Sequence, residues 1–175
     1  MDTDAVMQHQ IGGTMTDQNA EAVDPSIFTT HPHRLVFEAL IAAPVEKVFD
    51  AVAAHPETWH RWYPMVGKNC RYTTPPPHGV GSERYITSFG WTIRERIIVW
   101  DEPNRWAFYV LPGQLPGQAF AEDYRFEPAE GKTRFTWTVA IEGSRAAHFG
   151  MSITGGPVFR RAATRLEREL TTKSA

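Results

Sequence analysis

From just after Pro64 to Glu142 the sequence is cut into six strand-like runs, near 67–74, 82–89, 91–100, 105–111, 118–127 and 133–142. The breaks are TPPPHGVG, DEPN, LPGQLPG and EPAEGK, rich in the residues that turn a chain. Connections this short join neighbouring strands antiparallel, so the segment predicts a meander. A seventh run precedes it: Leu35, Phe37, Ala39 and Ile41 alternate with Arg34, Val36, Glu38 and Leu40, which places a strand over 33–42. A twisted sheet of seven strands must bury one face, and that requirement decides what the rest of the chain is for.

Two segments have helical spacing. In AAPVEKVFDAVAAHPETWHRWYP, Pro44 suits a first turn, and Val45, Val48, Phe49 and Val52 share one face. Pro56 ends that helix and opens a second short one, where Trp59 and Trp62, three apart, point inward together. Near the C-terminus, GGPVFRRAATRLERELTTK reads as one amphipathic helix starting at Pro157. Val158, Ala162, Leu166 and Leu170 recur every four residues with Phe159 and Ala163 beside them, and Arg160, Arg161, Arg165, Arg168 and Glu169 take the other face. Gly155 and Gly156 read as chain breakers before it. This helix has the apolar stripe that matches the sheet, so the sheet is expected to grip it. Residues 1–30 are polar, acidic and without period, and predict a disordered tail ahead of a single domain over 31–175. Met15 is a second candidate start beside Met1.

Three segments, FEALIAAPVEKVFDAVAAHPETWHRWYP, IIVWDEPNRWAF and YRFEPAEGKTRFTWTV, resemble the START-like (SRPBCC) superfamily, in particular its polyketide cyclase/dehydrase and lipid-transport branch. The resemblance spans roughly residues 33 to 172. It implies an α+β helix-grip fold of the Bet v 1-like kind: a seven-stranded antiparallel curved sheet around a long C-terminal helix, with two short helices after the first strand. It also implies a large apolar cavity between sheet and helix. The superfamily carries binders, transporters, cyclases and interaction proteins on one scaffold, so it implies no single activity.

Alternation assigns the cavity wall. Phe135, Trp137, Val139 and Ile141 face inward on the last strand, and Phe120, Glu122, Tyr124 and Phe126 on the one before it. Placing Arg94 and Arg96 in solvent sends Ile93, Glu95, Ile97 and Val99 inward, and Tyr85, Thr87 and Phe89 follow on the strand before that. Phe108 joins the wall from the 105–111 strand, Trp59 and Trp62 from the short helix, and Phe159, Ala162 and Leu166 from the long one. A plain packed core built from the same rings is the competing reading.

Glu95 and Glu122 thus fall on an apolar face, where an unpaired charge is costly. One reading makes Glu95, Glu122 and Tyr124, with Tyr85 as a further neighbour, acid–base candidates acting on a ligand carbonyl or hydroxyl. The other lets each carboxylate reach water or pair with an Arg such as Arg84. His31 and His33 have H-x-H spacing, but two ligands do not make a metal site, and no metal is expected. His60 reads as a polar lid residue or as an exposed helix residue. There is no G-x-S-x-G, G-x-G-x-x-G or G-x-x-x-x-G-K-[ST] motif, so no dinucleotide, nucleotide or other cofactor is expected. Cys70, the single cysteine, reads as a structural thiol in a reducing compartment.

With 18 basic and 20 acidic residues the chain has no electrostatic footprint for nucleic acid or an anionic membrane. The N-terminal residues lack the apolar core of a secretory signal, and no run approaches a membrane span. The expectation is a cytoplasmic protein whose partner is a small apolar ligand: a lipid, polyketide or aromatic metabolite, held as by a carrier or sensor. The alternatives are a cofactor-independent polyketide aromatase, cyclase or dehydratase, and a module whose groove takes a protein partner.

Overall fold

The computed structural model describes residues 23–88, 90–114 and 119–172; residues 1–22, Phe89, 115–118 and 173–175 lie outside the described residues. Alternating side chains and short turns build seven strands: β1 (Arg34–Ile41), β2 (Val66–Tyr72), β3 (Glu83–Ser88), β4 (Trp91–Asp101), β5 (Arg105–Val110), β6 (Ala119–Ala129) and β7 (Lys132–Glu142). Their order is β1-β7-β6-β5-β4-β3-β2, so β2 to β7 form the expected meander and β1 adds to its end against β7. The chain thereby forms a curved antiparallel sheet that packs one face against a long helix, α4 (Arg145–Thr172). Between β1 and β2 lie α2 (Val45–Phe49), a wider turn over Asp50–Ala54, a 3₁₀ turn at Pro56–Thr58 and α3 (Trp59–Trp62). Val45, Val48, Phe49 and Val52 are buried on the face that their spacing predicts.

Three expectations are corrected. The tail does not reach residue 30, because α1 (Ile27–Thr30) buries Ile27 and Phe28 on the convex side of the sheet. Alanines make room for them: Ala107, Ala121 and Ala140 sit on that side in neighbouring strands. The rest of the expected tail, with the Met1 or Met15 question, falls among residues outside the description. Second, Val99 does not face the helix. The β4–β5 register shifts between Ile97 and Val99, and the bulge turns Ile98 and Val99 to the convex side while Trp100 returns to the concave one.

Third, α4 starts at Arg145, twelve residues before Pro157, and carries Gly155, Gly156 and Pro157 inside it. Those glycines are a packing device instead of a break. A Cβ on Gly155 would lie 2.7 Å from Cζ of Phe37, whose ring packs on Trp137 at 5.2 Å and on Phe159 at 6.1 Å. Without a side chain at 155, the helix can approach β1 closely. At Gly156 the nearest atom to such a Cβ is 3.5 Å away, ordinary contact.

The two glycines should therefore respond with opposite sign. Gly156→Ala gains helix propensity of about 1 kcal/mol, whereas in Gly155→Ala the overpacking, about 1–3 kcal/mol, opposes that gain and lowers stability. Urea unfolding of the two variants checks this.

Candidate functional site

The concave face and α4 enclose two different environments. One end is solid: Phe126 stacks on Phe135 at 5.3 Å between ring centroids, Phe135 meets Phe159 at 5.3 Å, and Ile97, Ala162 and Leu166 close the remaining space. The other end holds a cavity of about 290 Å³. Its sheet wall comes from Ile86, Ile93, Phe108, Phe120 and Trp137; Trp59, Tyr63, Met151 and Val158 cover it, and Glu95 and Glu122 supply carboxyls. Thr154 lines the cavity and is exposed, which puts its opening beside the first half of α4.

Of the expected wall, Trp59, Ile93, Glu95, Phe108, Phe120, Glu122 and Trp137 line this cavity. Trp62, Ile97, Tyr124, Phe126, Phe135, Val139, Phe159, Ala162 and Leu166 are instead buried in the packed core around it. Tyr85 and Thr87, both expected inward, need correction. β3 pairs Ile86 with Ile93, Arg84 with Glu95 and Tyr85 with Arg94, and cross-strand partners share a face. Tyr85 therefore lies on the convex side with Arg94, whose guanidinium carbon is 6.0 Å from its ring, and the inward set is Arg84, Ile86 and Ser88. Phe89, the next of the expected set, lies outside the described residues. Ile86 could have been found by pairing β3 with β4. Val158 belongs to the expected apolar stripe of the long helix, whereas Tyr63, Met65, Met151 and Thr154 carry no signal of their own and reach the cavity through the placement of α3, the segment after it and α4.

Arg84, which alternation places outside but which stands as a candidate partner of the inward carboxylates, pairs with Glu95. Its side chain is fully buried, and Nε donates to Oε2 of Glu95 at 2.5 Å. Three rings box the guanidinium, whose carbon lies 4.2 Å from the centroid of Trp59, 4.5 Å from Trp106 and 4.7 Å from Phe108. Trp59 is itself held by its indole N–H, which donates to the carbonyl of Val52 at 2.8 Å. Nη1 and Nη2 of Arg84 have no hydrogen-bond partner among the described residues. Burial pushes the Glu95 carboxyl up, against the pull of Arg84, and the Glu95 charge in turn holds the guanidinium protonated.

Glu122 stands across β5 from Glu95. Phe108 is its partner on β5, and Val110, two residues on and on the same face, is the partner of Glu95. Oε2 of Glu122 accepts from the Tyr124 hydroxyl and from the Trp137 indole N–H, the latter at 2.9 Å. Oε1 receives no donor among the described residues. Burial, reinforced by the charge of Glu95, pushes the carboxyl from its ordinary 4.5 up to about 8, although Tyr124, Arg84 and Trp137 all favour the ionised form. With both donors on Oε2, the proton it keeps at neutral pH resides on Oε1. The site thus presents a neutral acid beside an ion pair, an arrangement suited to hydrogen-bonding a ligand oxygen.

Other candidates are placed elsewhere. Burial pushes the Cys70 thiol up to about 12, so it is not a thiolate at neutral pH. His33 lies 5.1 Å from His148 and 6.0 Å from His31, ring to ring, but among the described residues no three His, Cys, Asp or Glu side chains are placed to hold a metal ion. His60 is half-buried on α3, its Nδ1 2.8 Å from the carbonyl of Glu57. No helix among the described residues is long and apolar enough to cross a membrane.

Comparison with known proteins agrees with this architecture. Residues 32–171 match the family model described as polyketide cyclase / dehydrase and lipid transport. An uncharacterized protein of Mycobacterium tuberculosis is 34% identical over 122 residues, which cover 69% of this chain and 72% of the relative. Among solved structures, a protein from Nitrosomonas europaea is similar with a TM-score of 0.62 at 19% identity, over 81% of this chain and 96% of the other. Ginseng major latex-like protein 151 from Panax ginseng follows with 0.61 at 14%, over 78% and 95%. These structural likenesses establish a shared fold.

Removing Arg84 alone, as in Arg84→Met, leaves Glu95 buried without its partner and should cost about 3–5 kcal/mol. Replacing Arg84 and Glu95 together by Met and Leu should recover most of that loss in urea unfolding. Glu122 contributes a pH dependence of definite sign. Between 4.5 and about 8 the folded carboxyl keeps a proton that the unfolded chain releases, so its share of stability is full at low pH and is lost as pH rises through that window. The stability difference between Glu122→Gln and the parent should therefore shift in favour of the variant by about 1.4 kcal/mol per pH unit across the window, measured by unfolding at pH 5 to 9.

Proposed function

The chain belongs to the polyketide cyclase/dehydrase and lipid transport family, and from that premise we propose that it binds a compact apolar molecule in the cavity between sheet and α4, as a carrier or sensor. One observation carries the reading: the cavity of about 290 Å³ has a wall of rings and aliphatic side chains, and among the described residues its ionisable groups are confined to Glu95, Glu122 and Tyr63. That volume lies near the lower end of small-molecule sites, roughly 300–1,000 Å³, and favours an aromatic metabolite or a short polyketide over a long lipid. The ring wall supplies apolar contact, and Glu122 supplies one oriented hydrogen bond that sets which end of the ligand enters first. A reducing, cytoplasmic setting suits the lone buried Cys70.

Glu122 also supports a second reading, a cofactor-independent cyclase or dehydratase. A carboxyl held near 8 can give its proton to a ligand carbonyl oxygen and recover one later, and the rigid wall would hold a polyketide-like chain folded while it does so. In that reading the Tyr124 and Trp137 donors stabilise the carboxylate left behind.

Native mass spectrometry of the purified protein, repeated after organic extraction, tests the proposal. The expected result is one small aromatic or polyketide-like molecule per chain, lost on extraction. Protein that is empty and gains no mass from a panel of one- and two-ring compounds would overturn it. If a bound compound is converted during incubation, and Glu122→Gln binds it without converting it, the second reading replaces the first.

A further inference from the structure

The cavity wall is chemically one-sided. Among the described residues that line it there are two carboxyls, Glu95 and Glu122, and no Lys, Arg or His. Arg84 is near but is not on the wall: it lies behind Trp59 and Phe108, and Glu95 matches its charge. The two acids therefore differ in what they offer. Glu95 already has a cation; Glu122 has none, and its Oε1 is unpartnered although the residue is only 7% exposed. The rings of Trp59, Phe108, Phe120 and Trp137 on the same wall supply apolar contact for the body of a ligand.

Resting on the reading that this cavity holds a small apolar molecule, we propose that its preferred ligand carries a basic amine, with the apolar body against the ring wall and the ammonium directed at Oε1 of Glu122. An unpaired carboxyl in an apolar cavity is the group that a cation stabilises most, because water does not screen their attraction there. The ammonium would supply to Glu122 the counter-charge that Arg84 already supplies to Glu95, completing a set of two acids and two cations.

Binding is then linked to protons. The groups that face Glu122 are Tyr124 on its own strand, Trp137 on β7, Glu95 on β4, Arg84 on β3 and Tyr63 after α3. α4 lines the cavity with Met151, Thr154, Gly155 and Val158, none of which titrates. Tyr63 and Tyr124 are pushed above their ordinary range by burial and stay neutral, so the proton released when an ammonium enters comes from Glu122, which free protein holds up to about 8. An amine should bind more tightly as pH rises toward that value, by about tenfold per unit. A neutral ligand that accepts the Glu122 proton should weaken as pH passes above it.

The test is titration calorimetry of the full chain with tryptamine and with tryptophol, its neutral counterpart of nearly equal shape, at pH 6.5, 7.5 and 8.5 and in two buffers of different ionisation enthalpy. The ammonium of tryptamine stays charged over this range, as a primary amine does. Expected are at least tenfold tighter binding of tryptamine than of tryptophol at pH 8.5, the steep pH slope for tryptamine alone, and release of close to one proton per tryptamine at pH 6.5. Glu122→Gln should bring tryptamine down to the affinity of tryptophol and remove the slope. Tryptophol binding as well as or better than tryptamine at pH 8.5, or equal slopes for both, would overturn the amine preference while leaving the apolar-ligand reading intact. Binding of neither compound at millimolar concentration would remove both.

Discussion

Closing a curved sheet of seven strands with a single long helix is the constraint from which the rest of the molecule follows. A helix is about 10 Å across with its side chains, and the concave face it must cover is several strands wide. At one end large rings fill the difference: Phe126, Phe135 and Phe159 stack into a solid core with Leu166. At the other, α3 and the first half of α4 bridge over the sheet and leave the cavity. Gly155 sets how near α4 comes, since the Phe37 ring occupies the place where a side chain would be. The cavity is thus a consequence of coverage and closeness, and both are properties of elements distant in sequence.

Electrostatics then give the cavity its chemical character. Arg84 is a buried cation neutralised by one carboxylate and surrounded by three rings, an arrangement that replaces hydration with an ion pair and π faces. Because Glu95 is committed to Arg84, Glu122 faces both burial and a like charge, and its proton is retained to about 8. Two identical side chains on one wall are therefore placed differently: Glu95 is paired with Arg84, and Glu122 has only the neutral donors of Tyr124 and Trp137. Trp59 is common to both, packing on Arg84 and lining the cavity.

Much of the fold was legible because strand alternation and turn chemistry are local. All seven strands fall within two residues of their expected bounds at the ends the structure describes, and the valines of α2 are buried as their spacing requires. The errors came where local rules meet non-local packing. On β3, Glu83-Arg84-Tyr85-Ile86-Thr87 alternates polar and apolar weakly, and choosing the tyrosine as the inward residue put the cation outside; pairing with β4 reverses the choice. On β4 a bulge shifts the register after Ile97 with no glycine to announce it. In α4, Gly155, Gly156 and Pro157 resemble a terminus, yet flanking turns packed on β1 carry the helix through them. α1 lay in a segment too short and too polar to show a period, and only burial against Ala107, Ala121 and Ala140 makes it visible.

By itself the sequence determined the order of the seven strands, the antiparallel meander and the two acids on an apolar face, because each of these is written in short turns and spacings of two to four residues, and three longer segments carried the family resemblance. Only the tertiary structure decided that Arg84 belongs to Glu95, that Glu122 is left without a cation, and which of the expected wall residues are solid core and which enclose space. Those outcomes depend on distances between β3, β4, β6 and α4. They are set when the sheet curls and the helix settles on it, and periodicity along one strand contains no measure of either.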